Sequence, residues 1–307
     1  MTSIRESIRQ RFTPISPIEP GVYQYQAPQE DPRNFRFHLR VESSGEGVMI
    51  VNASTVLHLN QTATEHAYYL VQSTPEKEAA DLVASRYRVS YEQALQDYSD
   101  FKETIDTLVT IPDLDPIAYL GFDRTRPYSG EITAPYRLDC ALTYQLPPGN
   151  DPQLAPHTRA DRDLSLEEWK IILDKSWAAG IPHVIFTGGE PTLRDDLLEI
   201  ILYAEQIGQV TGLLTDGIRL DQPGYFDSLL QTGLDHMLIL LEPQQEHIWE
   251  SIKQSASSDI YTTVHLTLTP ENQAETMGFI ERLAELEVPS ISLSASSEDL
   301  DENLVAA

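Results

Sequence analysis

From Tyr136 to about residue 294, short apolar runs alternate with longer amphipathic stretches, and this alternation leaves few folds open. The periodicity predicts strands over 136–144, 181–187, 210–215, 235–241, 260–269 and 290–294. Between them it predicts helices over 165–179, 195–207, 222–232, 244–256 and 271–287. Strands taking turns with helices specify a parallel α/β sheet or open barrel, whose ligand chemistry is expected at the C-terminal strand ends.

The first part of the chain has a different grammar. Residues 1–34 hold Pro14, Pro17, Pro20, Pro28 and Pro32 with little apolar period, and are expected to form an extended arm. From Phe35, apolar Phe35, Phe37, Leu39 and Val41 alternate with Arg36, His38 and Arg40, the pattern of a half-buried strand. Two more short strands, 48–51 and 55–59, complete an antiparallel meander. Three helices follow: one capped by Thr62, one opened by Thr74-Pro75, and one from Tyr91 to about Leu108 capped by Ser90. Residues 109–133, rich in proline, are expected to be a linker, and 296–307 an acidic frayed tail.

The 21 Lys and Arg against 48 Asp and Glu give a net charge of −27. A field of that sign repels phosphate backbones and anionic headgroups, so neither nucleic acid nor a membrane is expected as a partner. No apolar run reaches the length of a membrane span and the N-terminus lacks a signal-type apolar core, so the chain reads as cytoplasmic. Cys140 is the only cysteine. It is expected to be a buried apolar residue inside the first barrel strand.

The most specific motif is Val184-Ile185-Phe186-Thr187-Gly188-Gly189-Glu190-Pro191, followed by a helix and then Leu213-Leu214-Thr215-Asp216-Gly217. In this order, strand, GGEP, helix, strand and TDG resemble the second and third βα units of the radical SAM superfamily, and the resemblance runs over about 134–294. It implies that Gly188, Gly189 and Glu190 stand where the family binds the methionine amino group of S-adenosylmethionine. The family's loop after the first strand carries three cluster-binding cysteines. Here those positions fall at Leu146, Asn150 and Gln153, none of which can replace a thiolate. The fourth strand ends Leu240-Leu241-Glu242-Pro243 and lacks a serine that relatives often use near the ribose. No cofactor is therefore expected. An iron-sulfur cluster has no ligands, and S-adenosylmethionine, without the iron that anchors its methionine end, is not expected to be retained.

The first part resembles a PqqD-type peptide-recognition domain over about Phe35–Leu108, carried by Leu59-Asn60-x-Thr62-Ala63 between meander and helices. The resemblance implies that a precursor's leader peptide adds a strand to the meander edge and rests against the third helix. By that analogy Thr55, Val56, Leu57 and His58 of the third strand, with Leu95, Tyr98, Phe101, Lys102 and Ile105 of the third helix, form the groove. The alternative is a winged-helix-like module that only packs.

Together these readings give an α/β chain, a partial (β/α)6 radical-SAM-type barrel over 134–295 preceded by a small α+β winged-helix-like PqqD domain over 35–108. The expected function is that of a non-catalytic protein on a pseudoenzyme barrel, binding a peptide or a partner maturation enzyme. The alternative is an enzyme of another class, using Glu190, Asp216 and Glu242, which each follow a successive strand, as general acid and base or as ligands of a divalent cation. An active radical SAM enzyme comes last.

Overall fold

The computed structural model describes residues 17–28, 30–52, 55–87, 89–111, 114, 133–148 and 161–295. The chain divides into two compact units, Met1–Ala134 and Pro135–Ala307.

The first unit holds a four-stranded antiparallel sheet in the order β1-β2-β3-β4. Its strands are β1 (Gly21–Gln26), β2 (Arg36–Val41), β3 (Gly47–Val51) and β4 (Thr55–Leu59). β1 lies within the stretch expected to be an extended arm, and corrects that expectation. Its alternating tyrosines explain the strand: Tyr23 meets Tyr68 edge-on, and Tyr25 packs against Phe35 and Phe37. Pairing runs from Gly21 opposite Val41 to Gln26 opposite Arg36.

The half-buried reading of β2 is corrected as well, since every residue of the strand is buried. Phe37, Leu39 and Val41 join the core with Met49, Val51, Leu57 and Leu59. On the other face Arg40 Nε donates to Glu42 Oε1 at 2.9 Å, and the same carboxylate oxygen accepts from Thr133 Oγ1 at 3.2 Å. A buried charge is tolerated when paired and hydrogen-bonded in this way.

Three helices follow, α1 (Gln61–Val71), α2 (Glu76–Tyr87) and α3 (Tyr91–Thr110). The cap of α1 is Asn60 rather than Thr62, its side chain accepting from Ala63 N at 3.0 Å. Ser90 caps α3 as expected, accepting from Gln93 N. α3 serves two packing clusters. Tyr98 and Ala94 meet Ala79, Ala80 and Val83 of α2, while Ile105 closes over the sheet core.

The second unit is a six-stranded parallel sheet whose neighbours follow chain order, β5-β6-β7-β8-β9-β10. The strands are β5 (Arg137–Thr143), β6 (His183–Gly188), β7 (Val210–Thr215), β8 (His236–Leu240), β9 (Tyr261–Leu268) and β10 (Ser290–Ala295). Between them lie α4 (Leu166–Ala178), α5 (Leu197–Gln206), α6 (Tyr225–Leu230), α7 (Glu246–Ala256) and α8 (Thr276–Glu285). Alternation sorts the strand residues. Val184, Phe186, Leu213, Met237, Ile239, Val264 and Leu266 enter one core with Ile200, Ile201, Ile248 and Ile252 from the helices. His183, Ile185, Thr187, His236, Leu238 and Leu240 therefore point to the face turned away from the helices.

α6 and α8 are shorter than expected. Gly224 precedes α6 at φ +78°, a left-handed conformation that holds the helix start at Tyr225. Residues 273–275 form a 3-10 turn ahead of α8.

Candidate functional site

The chain at the C-terminal end of β6 is bound to the chain leaving β5. Gly189 N donates to Thr143 O at 2.8 Å and Glu190 N to Gln145 O at 2.7 Å. This closeness dictates the two glycines. A Cβ on Gly188, at φ +137°, would stand 2.4 Å from Thr143 O, and one on Gly189 would stand 1.9 Å from Gln145 O. The register shift between Ala141 and Thr143 brings β5 into this approach. Thr143 Oγ1 then donates to Asp163 Oδ2 at 2.6 Å.

Glu190 follows as the cap of a 3-10 turn, Pro191–Leu193, with proline at the first position. Its carboxylate is 1% exposed and accepts four bonds. Oε1 receives Thr192 N at 2.9 Å, the Thr192 hydroxyl, and Thr215 Oγ1 at 2.8 Å. Oε2 receives Asp216 N at 2.8 Å. Glu190 thus ties the turn after β6 to the turn after β7. Burial raises its pKa, the charge of Asp216 raises it further, and the hydrogen bonds work the other way.

Of the three carboxylates, the structure brings together Glu190 and Asp216. Asp216 Oδ1 accepts from Ile218 N at 3.0 Å and so shapes its own turn. Glu242 is exposed and accepts from the Gln245 side chain. Among the described residues no group of three or more His, Cys, Asp or Glu is placed to hold a metal ion, so the three-carboxylate cation centre is not formed there.

Two arginines that sequence reasoning passed over brace the same end of the sheet. Arg194 donates to Leu142 O at 2.8 Å and Leu164 O at 2.9 Å and pairs with Asp196. Arg219 donates to Thr192 O at 2.7 Å and lies over the Tyr225 ring. The Tyr225 hydroxyl is pushed up to about 12, chiefly by burial. The available signals were Glu-Pro-Thr, where a capping carboxylate precedes a proline at the first helical position, and the threonine of Thr-Asp-Gly.

In the first unit β4 is an edge strand. Leu57 is buried in the core, while Thr55, Val56 and His58 are half-exposed. On α3, Tyr98 and Ile105 are buried in the packing clusters, 2% and 1% exposed. Leu95 and Phe101 are half-buried and Lys102 is exposed. Of the former cluster positions, Leu146 is partly buried, and Asn150 and Gln153 lie outside the described residues.

Residues 140–289 match the Radical SAM superfamily. Most of the second unit is thus similar to that superfamily. The chain is 29% identical over 170 residues to the PqqA peptide cyclase of Ruegeria pomeroyi, covering 51% of this chain and 45% of the relative. It is 32% identical over 94 residues to the PqqA peptide cyclase of Bradyrhizobium diazoefficiens, covering 31% of this chain and 24% of the relative. The chain thus spans less than half the length of these curated relatives. Streptococcus suis SuiB bound to S-adenosylmethionine shares the fold at a TM-score of 0.59 and 13% identity, over 91% of this chain and 65% of SuiB. SuiB bound to the precursor peptide SuiA gives 0.58 and 13%, over 90% and 64%.

These matches correct two expectations. The non-catalytic pseudoenzyme is overturned because the radical SAM relatives bear the name of a peptide-modifying enzyme, PqqA peptide cyclase. The expectation of no cofactor is overturned because the matched superfamily is the radical SAM one, and SuiB carries S-adenosylmethionine in a structure of the same fold.

The residues present do not fit a cluster. Cys140 is the one cysteine of the sequence, it lies buried within β5, and burial pushes its thiol up to about 12, the reverse of what a thiolate ligand needs. The radical SAM turn Gly188–Glu190 spends its amides at 189 and 190 and its carboxylate on the chain itself. Among the described residues no helix is long and apolar enough to cross a membrane.

Proposed function

We propose that this chain engages a precursor peptide within a peptide-modifying system of the radical SAM superfamily. The free edge of β4 is the dock, in a first unit of PqqD type. The edge strand itself carries the reading: β4 pairs with β3 on one side, at Val48 with His58 and Ile50 with Val56, and among the described residues no strand pairs with it on the other. An unpaired strand edge offers a row of backbone donors and acceptors to an extended peptide, and the side chains on either side supply selectivity. Thr55, Val56 and His58, half-exposed on β4, are the contact residues, with Leu95, Phe101 and Lys102 of α3 along the groove.

The test is a tiled array of peptides from the short reading frames of the host, followed by solution affinity for the strongest binder. Methylating that peptide's backbone nitrogens one at a time is expected to weaken binding at every second position, because only alternate amides face the edge. Val56→Asp is expected to weaken it too. Indifference to both changes would overturn edge docking.

A further inference from the structure

At the foot of the sheet, far along the strands from the Gly188–Glu190 turn, two imidazoles meet outside any role given above. His183 opens β6 and His236 opens β8, and both project from the face turned away from the helices. Their Nε2 atoms are 2.9 Å apart, and the ring centroids 4.8 Å. The strand between them makes this possible. β7 places Gly212 in register with His236, and a Cβ there would stand 1.9 Å from His236 Cε1.

His236 Nδ1 lies 3.2 Å from Thr211 O, a carbonyl that can only accept. That contact puts the proton on Nδ1 and leaves Nε2 as a lone-pair donor aimed at His183. An imidazole whose far nitrogen is fixed on a backbone carbonyl is the usual arrangement of a metal-binding histidine.

We infer that His183 and His236 form a two-imidazole site for a borderline divalent cation such as Zn2+, Ni2+ or Cu2+, with water completing the coordination. Two nitrogens each ~2.0 Å from a tetrahedral ion stand about 3.3 Å apart, so a small opening of the pair admits one. Both rings are partly exposed, which lets water reach the remaining positions. Burial holds them neutral, with His183 pushed down to about 3 by desolvation and then by His236 and Arg137, and His236 lowered by desolvation and Arg137. Neutral imidazole is the form that binds metal. The neighbouring cation, Arg137, is paired with Asp139 at 2.8 Å, and Asp235, next to His236 in the chain, accepts from Thr211 N. The net charge of −27 favours cation entry. With no third His, Cys, Asp or Glu grouped there among the described residues, the site is open on the water side rather than a closed structural one.

The experiment is titration of the untagged full chain with Cu2+ and, separately, Zn2+. Calorimetry gives stoichiometry, and the Cu2+ electron paramagnetic resonance spectrum shows whether nitrogen ligands are present. One Cu2+ site with hyperfine coupling to two nitrogens is expected. His183→Gln and His236→Gln should each lower its affinity by more than about 10-fold and remove one coupling. Circular dichroism of the same variants checks their fold. His265→Gln, on β9 of the same sheet, should change nothing at this site. A spectrum without two-nitrogen coupling, or binding undiminished in the folded variants, overturns the site.

Discussion

Glu190 is a carboxylate under strain of solvation rather than of geometry. Four donors converge on it in a setting with almost no solvent, and Asp216 adds a second negative charge beside it. Its folded pKa therefore lies above its unfolded one. The folded state holds the proton more tightly, so this group's stabilisation is full below the ordinary 4.5 and is lost as pH rises from there toward neutrality. The melting temperature of the wild-type chain is expected to fall over that window, and the fall to disappear in Glu190→Gln. The variant itself should be less stable by about 1–3 kcal/mol, since an amide nitrogen would then face a backbone donor. Parallel pH profiles of the two proteins sink this account of Glu190. The sequence pointed to Glu190 and Asp216 as neighbours through their places after successive strands. It gave no sign that Thr192 and Thr215 would bond the carboxylate, because a hydroxyl's partner depends on turn geometry that no periodicity encodes.

Elements were most legible where one residue pattern had one physical meaning. The six parallel strands follow from apolar runs that must be buried on the helix face, and α4 from Ser165 with Glu168, which close a capping box. Two elements were hidden for opposite reasons. β1 sits between prolines, which masked its alternation of Tyr23 and Tyr25. The start of α1 was expected at Thr62, but Asn60, two positions earlier, is the cap, because its side-chain Oδ1 reaches Ala63 N while Thr64 Oγ1 turns back to the Asn60 backbone carbonyl. Asn60→Ala is accordingly expected to cost about 1 kcal/mol in the first unit, measured by urea denaturation, with Thr62→Ala close to neutral. Equal effects at the two positions would contradict the observed cap. The burial of both faces of β2 was not legible, because Arg36, His38 and Arg40 are polar types that alternation assigns to solvent.

At the scale of the whole chain, the net charge of −27 sets which peptides the proposed edge docking would favour. With 48 acidic residues against 21 basic ones, the summed field attracts cationic segments and repels anionic ones. Association with a basic peptide is expected to slow steeply between low salt and about 0.15 M, where the screening length is ~8 Å, with dissociation little changed. Stopped-flow association rates across an ionic-strength series measure this, and a rate independent of salt would remove steering from the picture. The sequence reads as two grammars, strands then helices against strands alternating with helices. The likeness of the second to the radical SAM superfamily was legible in its GGEP and TDG turns, whereas its relatives' enzymatic names ran against what the missing cysteines suggested.

The Gly188–Gly189 step has a consequence for how such chains are recognised. Each glycine is required because the backbone leaving β5 occupies the space a side chain would need, whatever ligand comes or goes nearby. Natural selection on shape alone will therefore preserve the pair, and a genome survey keyed to that dipeptide counts a way of bending a polypeptide before it counts a chemistry.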